Sequence, residues 1–84
     1  MIKLQVYISD ECWTCEETRR ILADVSPDFP DVEIELLDLN NHHRPDTVFA
    51  VPTYLINGQI AFLGNPTRSE LTQKLLSVRH ALHT

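Results

Sequence analysis

The sequence predicts an α/β domain of order βαβαββα, in which a four-stranded mixed sheet carries helices on both faces. Three observations predict it. Period-two alternation at residues 2–8 and 32–36 encloses a stretch of helical spacing, Asn57-Gly58 separates two further strand-like runs, and Leu71, Leu75, Val78 and Leu82 form a final apolar stripe. Eighty-four residues make a single domain, 1–84, large enough to fold without a staple.

In the first strand Ile2, Leu4, Val6 and Ile8 alternate with Lys3, Gln5 and Tyr7, which gives one buried face. Ser9 and Asp10 offer capping oxygens, and Thr14 with Glu17 offers a competing capping box, so a helix starts between residues 10 and 15. Cys15, Thr18, Ile21, Leu22 and Val25 fall on its core face, Glu16, Glu17, Arg19, Arg20 and Asp24 on the other, and Pro27 ends it. Val32, Ile34 and Leu36 alternate with Glu33 and Glu35 in a second strand that closes near Asp38. Strand, helix and strand in about forty residues form a right-handed parallel unit. A short helix is expected after Pro45. Residues 51–56 and 59–63 then form a hairpin across Asn57-Gly58, a pair suited to the positive backbone angles of a type I′ turn. Gly64 breaks the last strand, Thr67 and Glu70 make a capping box, and the final helix follows. Tyr7, Tyr54, Phe49 and Phe62 read as packing residues.

Composition narrows the partners. A hydrophobic share of 43% beside a charged share of 23% is that of an ordinary globular chain, with no linker or repeat. A net charge of -5 lacks the basic footprint that nucleic acid or anionic lipid would need. The alternation at residues 2–8 is not the apolar core of a signal peptide, and no later stretch approaches a membrane span. The chain is therefore expected to be a cytoplasmic monomer that binds neither nucleic acid nor membrane.

The only two cysteines stand in Asp10-Glu11-Cys12-Trp13-Thr14-Cys15-Glu16-Glu17. A bridge across a two-residue gap removes little chain entropy, so the pair points to redox chemistry or to metal rather than to a staple. Cys12 sits where a helix tip offers free N–H groups and a positive dipole end, both of which favour thiolate, while Cys15 lies one turn later on the core face. Cys12 is thus the candidate nucleophile and Cys15 the candidate resolving thiol. A carboxylate about 6 Å from the sulfur in water costs the thiolate about 0.7 kcal/mol, and the dipole returns a comparable ~0.3–1 kcal/mol. Cys12 is therefore expected to be only modestly more acidic than a free thiol. Such a dithiol gains no special stabilisation, which makes the protein a reductant rather than an oxidant.

With C-x-x-C at the first strand-to-helix junction and Val51-Pro52-Thr53 ahead of the hairpin, together with Asn57-Gly58 and Gly64, the chain resembles the thioredoxin and glutaredoxin superfamily over almost its whole length. It looks like a glutaredoxin-sized, mini-thioredoxin-like protein. The resemblance implies a thioredoxin-like fold, a cis Val51–Pro52 bond opposite the cysteines, and electron transport by thiol–disulfide exchange. Val51 and Pro52 would then seat an extended substrate segment, with Trp13 and Thr14 beside them as a partner contact and tuning pair. It further implies disulfide-containing proteins as substrates, no bound cofactor, and electrons drawn from a thioredoxin reductase-type flavoprotein or from glutathione.

Two departures matter. Thioredoxins usually carry a buried Asp six residues before the first cysteine, where this chain has Val6, so His42 or His43 becomes a candidate proton acceptor. Glutaredoxins usually carry Gly-Gly with a following Asp where this chain has Gly64-Asn65-Pro66-Thr67, which favours the thioredoxin-like branch over a glutathione-dependent glutaredoxin. The rival from another class is a zinc or copper binding or delivery protein that uses Cys12 and Cys15 with His42 or His43.

Overall fold

The computed structural model describes residues 2–9, 15–39 and 51–82. Its elements are β1 (Ile2–Ile8), α1 (Cys15–Val25), a 3₁₀ turn (Ser26–Asp28), β2 (Val32–Asp38), β3 (Thr53–Ile56), β4 (Gln59–Leu63) and α2 (Arg68–Leu82). The strands form one sheet in the order β2-β1-β3-β4. β1 runs parallel to β2, from Ile2 opposite Val32 to Ile8 opposite Asp38, and antiparallel to β3. The sheet is therefore mixed, as expected. The helix expected after Pro45 and the packing expected of Phe49 lie outside the described residues.

Alternation in β1 sorts the core. Ile2, Leu4, Val6 and Ile8 join Cys15, Ile21, Leu22 and Val25 of α1 and Leu71 and Leu75 of α2 in one buried cluster, so the two helices among the described residues cover the same face of the sheet. On the opposite face Tyr7 and Leu55 form a smaller cluster with Leu37 and Leu39. Thr18 is fully buried on the apolar stripe of α1. Val78 packs against the main cluster from α2, where Leu76 stands exposed.

The hairpin follows its turn residues. Asn57 and Gly58 both have positive φ, 51° and 85°, the geometry that a type I′ turn requires. Asn57 also caps β1: its backbone N–H donates to the Lys3 carbonyl and its side-chain oxygen accepts from the Lys3 N–H, each at 2.9 Å. The first hairpin strand begins at Thr53 rather than at Val51, because Pro52 has no N–H for the ladder. A register shift at Tyr54/Leu55 pairs Tyr54 with Phe62 and Leu55 with Ile60. That bulge places the adjacent Ala61 and Phe62 against the core and leaves Ile60 and Leu63 exposed, which simple alternation does not anticipate. Phe62 meets the Tyr54 ring edge to face at 6.1 Å.

The capping box at the start of α2 forms in both directions. The Glu70 N–H donates to Thr67 Oγ1 at 3.0 Å, and the Thr67 N–H donates to Glu70 Oε1 at 2.9 Å, which holds the Glu70 carboxyl below its ordinary range. Near the other end, Arg79 stacks over Phe29 and holds Asp31 at 2.6 and 3.2 Å, so α2 is tied to the turn that precedes β2. Leu71→Ala is expected to cost about 2–5 kcal/mol, and Thr67→Ala about 1 kcal/mol, in urea unfolding followed by circular dichroism. A cost below about 1 kcal/mol at Leu71 would contradict the packing described.

Candidate functional site

Strand pairing decides where the chemistry-bearing residues meet. β1 leads from Ile8 toward α1, β3 begins with Thr53 opposite Tyr7, and β2 ends with Asp38 opposite Ile8. The entry to α1, the Val51–Pro52 peptide and the chain leaving β2 therefore share one end of the sheet. The Leu39 N–H, bonded to the Ile8 carbonyl at 2.8 Å, carries the parallel pairing right to that end.

Cys15 is the first residue of α1, and its side chain joins the core at 1% exposure. Its sulfur is disulfide-bonded. The Val51–Pro52 bond is cis, as the resemblance implied, with Pro52 buried and Val51 half-buried. The Pro52 carbonyl accepts a hydrogen bond from the Gly64 N–H at 2.8 Å, and Gly64 reaches that position with φ +87°, a backbone angle that strains any residue with a Cβ. Cys12, Trp13, Thr14, His42 and His43 lie outside the described residues, as do Asp10 and Glu11. The ligand set of the metal-binding alternative thus includes only Cys15 among the described residues.

The acids of the first helical turn are matched by arginines. Arg20 Nη2 lies 3.0 Å from Glu16 Oε1, and Glu17 lies 3.3 Å from Arg68 Nη2 and 4.0 Å from Arg20 Nη1. Arg68 also donates to Asp24 at 2.5 Å, so it bridges two turns of α1 from the head of α2. Each pair is open to water and adds little to stability. Both acids of the first turn of α1 thus have an arginine partner.

Behind Cys15 stands a polar group that the sequence reading passed over. Thr18 Oγ1 donates to Asn65 Oδ1 at 2.5 Å, and the Tyr54 hydroxyl donates to the same oxygen at 2.9 Å. Thr18 and Tyr54 are both fully buried. A buried hydroxyl without a partner costs about 1–3 kcal/mol, so the single Asn65 oxygen offsets two such costs. Thr18, a polar residue on an otherwise apolar stripe, was the available signal; its partner lies 47 residues away and left none. Burial is the main cause that pushes the Tyr54 hydroxyl up to about 12, with the neighbouring Thr18 hydroxyl opposing it and the Glu17 charge adding to it.

The chain is 30% identical over 78 residues to the thioredoxin of Methanocaldococcus jannaschii, covering 88% of this chain and 92% of that one. It is 27% identical over 79 residues to a probable thioredoxin of Methanothermobacter marburgensis, covering 89% and 93% respectively. Among solved structures, thioredoxin from Trypanosoma brucei brucei superposes with a TM-score of 0.78 at 21% identity, covering 95% of this chain and 76% of that chain. Mitochondrial thioredoxin 3 from Saccharomyces cerevisiae superposes at 0.72 with 20% identity, covering 90% and 77%. At these identities the structural likeness concerns the fold. No protein-family model matches the chain.

The displaced Tyr54 titration sets an alkaline limit on stability. Its folded value, about 12, lies above its ordinary 10.0, so the stabilisation is present in full below pH 10 and is lost as pH rises toward 12. Unfolding free energy measured between pH 9 and 12 should fall along that window, and Tyr54→Phe should flatten the slope while lowering stability at neutral pH. An equal slope in both chains would contradict the assignment.

Proposed function

The chain belongs to the thioredoxin family of thiol–disulfide oxidoreductases, and on that footing we propose that it reduces protein disulfides with the dithiol of Cys12 and Cys15. The observation that carries the reading is the placement of Cys15, which opens α1 at the sheet end where the cis Val51–Pro52 peptide precedes β3. The disulfide at Cys15 supports it, since the chain has one other cysteine, Cys12, with which it would pair.

In the proposed cycle the Cys12 thiolate attacks one sulfur of a substrate disulfide, forming a mixed disulfide and releasing the first substrate thiolate. Cys15 then gives up its proton and attacks the Cys12 sulfur, which closes the Cys12–Cys15 disulfide and releases the second. Two electrons pass to the substrate, whose thiolates take up the Cys15 proton and one from solvent. The Cys12 thiolate is favoured by the helix tip, and the arginine pairs of Glu16 and Glu17 keep nearby negative charge from cancelling that gain. Val51 and Pro52 would seat an extended substrate segment with Trp13 and Thr14 beside it. Val6 is fully buried in the core and offers no carboxylate, so His42 or His43 is the proposed acceptor for the Cys15 proton.

The thioredoxin-like branch is preferred to the glutathione-dependent one. In the loop where glutaredoxins hold glutathione, the Asn65 oxygen is committed inward to Thr18 and Tyr54, and Pro66 is buried. A flavoprotein reductase rather than glutathione is the proposed electron donor. No helix among the described residues is long and apolar enough to cross a membrane, and the reading takes the protein to act in the cytoplasm as a monomer.

Insulin reduction with a dithiol donor tests the assignment. The unaltered chain should turn over, Cys12→Ser should fall to the uncatalysed rate, and Cys15→Ser should trap substrate on Cys12 as a mixed disulfide resolved by reduction. Activity surviving in Cys12→Ser would overturn the role of Cys12. Turnover sustained by glutathione with its reductase, but not by a thioredoxin reductase, would overturn the choice of branch.

A further inference from the structure

The Gly64-Asn65 corner touches three parts of the candidate site at once. The Gly64 N–H holds the Pro52 carbonyl, and the Asn65 side chain holds Tyr54, two residues beyond that proline on β3. The same oxygen holds Thr18, which follows Cys15 by three residues on the core face of α1 and so lies one turn below it. The corner therefore joins the strand that carries the platform to the helix that carries the cysteine.

Other contacts between these elements are less directional. Apolar packing of α1 on the sheet is non-directional. The Arg68 pairs to Glu17 and Asp24 lie in water, where a long side chain can follow a shift of the helix. Two hydrogen bonds from buried hydroxyls to one oxygen are directional, and a shift of either donor costs that hydroxyl its Asn65 partner.

We propose that Asn65 is a positioning residue for disulfide exchange, its side-chain oxygen setting the spacing between the Val51–Pro52 platform and the head of α1, which Cys15 opens, for a polypeptide substrate. The inference rests on the exchange reading above and deepens it. A polypeptide seated on the platform must present its disulfide to the attacking sulfur in line, and a misplacement of about 1 Å can cost about a hundredfold in rate. A small aromatic disulfide meets the sulfur without the platform and is indifferent to that spacing. The specificity for proteins would thus depend on a residue that touches neither substrate nor sulfur.

The test compares kcat/KM for a disulfide-linked peptide with the single-turnover rate for 5,5′-dithiobis(2-nitrobenzoic acid), in the full chain and in Asn65→Ala, Asn65→Asp, Thr18→Val and Tyr54→Phe. Asn65→Ala should lose about tenfold or more on the peptide and change by less than about twofold on the small disulfide. Asn65→Asp keeps an accepting oxygen and should recover most of the loss, while Thr18→Val and Tyr54→Phe should each show part of it. Thermal unfolding identifies any chain that is not folded at the assay temperature. If Asn65→Ala is one, Thr18→Val and Tyr54→Phe carry the same comparison. Parallel losses on both substrates, no loss on either, or an Asn65→Asp chain as impaired as Asn65→Ala would each overturn the inference. An unaltered chain that reduces neither substrate would instead overturn the exchange reading on which it rests.

Discussion

β1 takes a parallel partner on one side and an antiparallel partner on the other, and the location of the site follows from that choice. Parallel pairing with β2 requires the chain to cross back over the sheet, which it does through α1. Antiparallel pairing with β3 brings the residues that precede Thr53 to the end where β1 finishes. The start of α1 and the cis-proline peptide thus lie at one end of the sheet. The buried side of β1, from Ile2 through Ile8, secures the arrangement, because a slip of one residue would turn all four apolar side chains toward the opposite face.

Around that frame the forces divide by depth. At the surface, Arg20 and Arg68 balance Glu16 and Glu17, and the energy involved is small because water screens every pair. Below, the buried hydroxyls of Thr18 and Tyr54 converge on one oxygen of the half-buried Asn65, and losing either bond costs a buried hydroxyl its Asn65 partner. The surface pairs thus tie α1 to α2 loosely, whereas the Asn65 oxygen holds two buried hydroxyls in a fixed direction. A neutral Tyr54 at ordinary pH is consistent with the second role, because it donates its proton and does not exchange it.

Much of this was legible in the sequence, and the reasons are local. Alternation at residues 2–8, the core stripe of α1, the Asn57-Gly58 turn and the Thr67–Glu70 box depend on neighbours within a few residues, so the pattern carries the structure. What was not legible joins distant residues. The Thr18–Asn65 bond spans 47 positions and the Arg68–Glu17 pair 51, and no periodicity links them. The bulge at Tyr54/Leu55 belongs to the pairing of two strands, so its effect on Ile60 and Leu63 could not be read from β4 alone. The cis bond at Pro52 came from family resemblance, since X-Pro peptides are trans in most proteins.

The balance of charge at the head of α1 also bears on the direction of electron flow. On the proposed reading, a Cys12 thiolate that gains only a modest advantage leaves the dithiol state without special stabilisation, so the protein would give electrons away. The reduction potential of the purified chain, equilibrated against a graded dithiol–disulfide buffer, measures this directly. The account predicts a reversible two-electron couple nearer to about −270 mV, the thioredoxin value, than to the ~−120 mV of a strong oxidase. A value at the oxidase end, or no reversible couple at all, would contradict it.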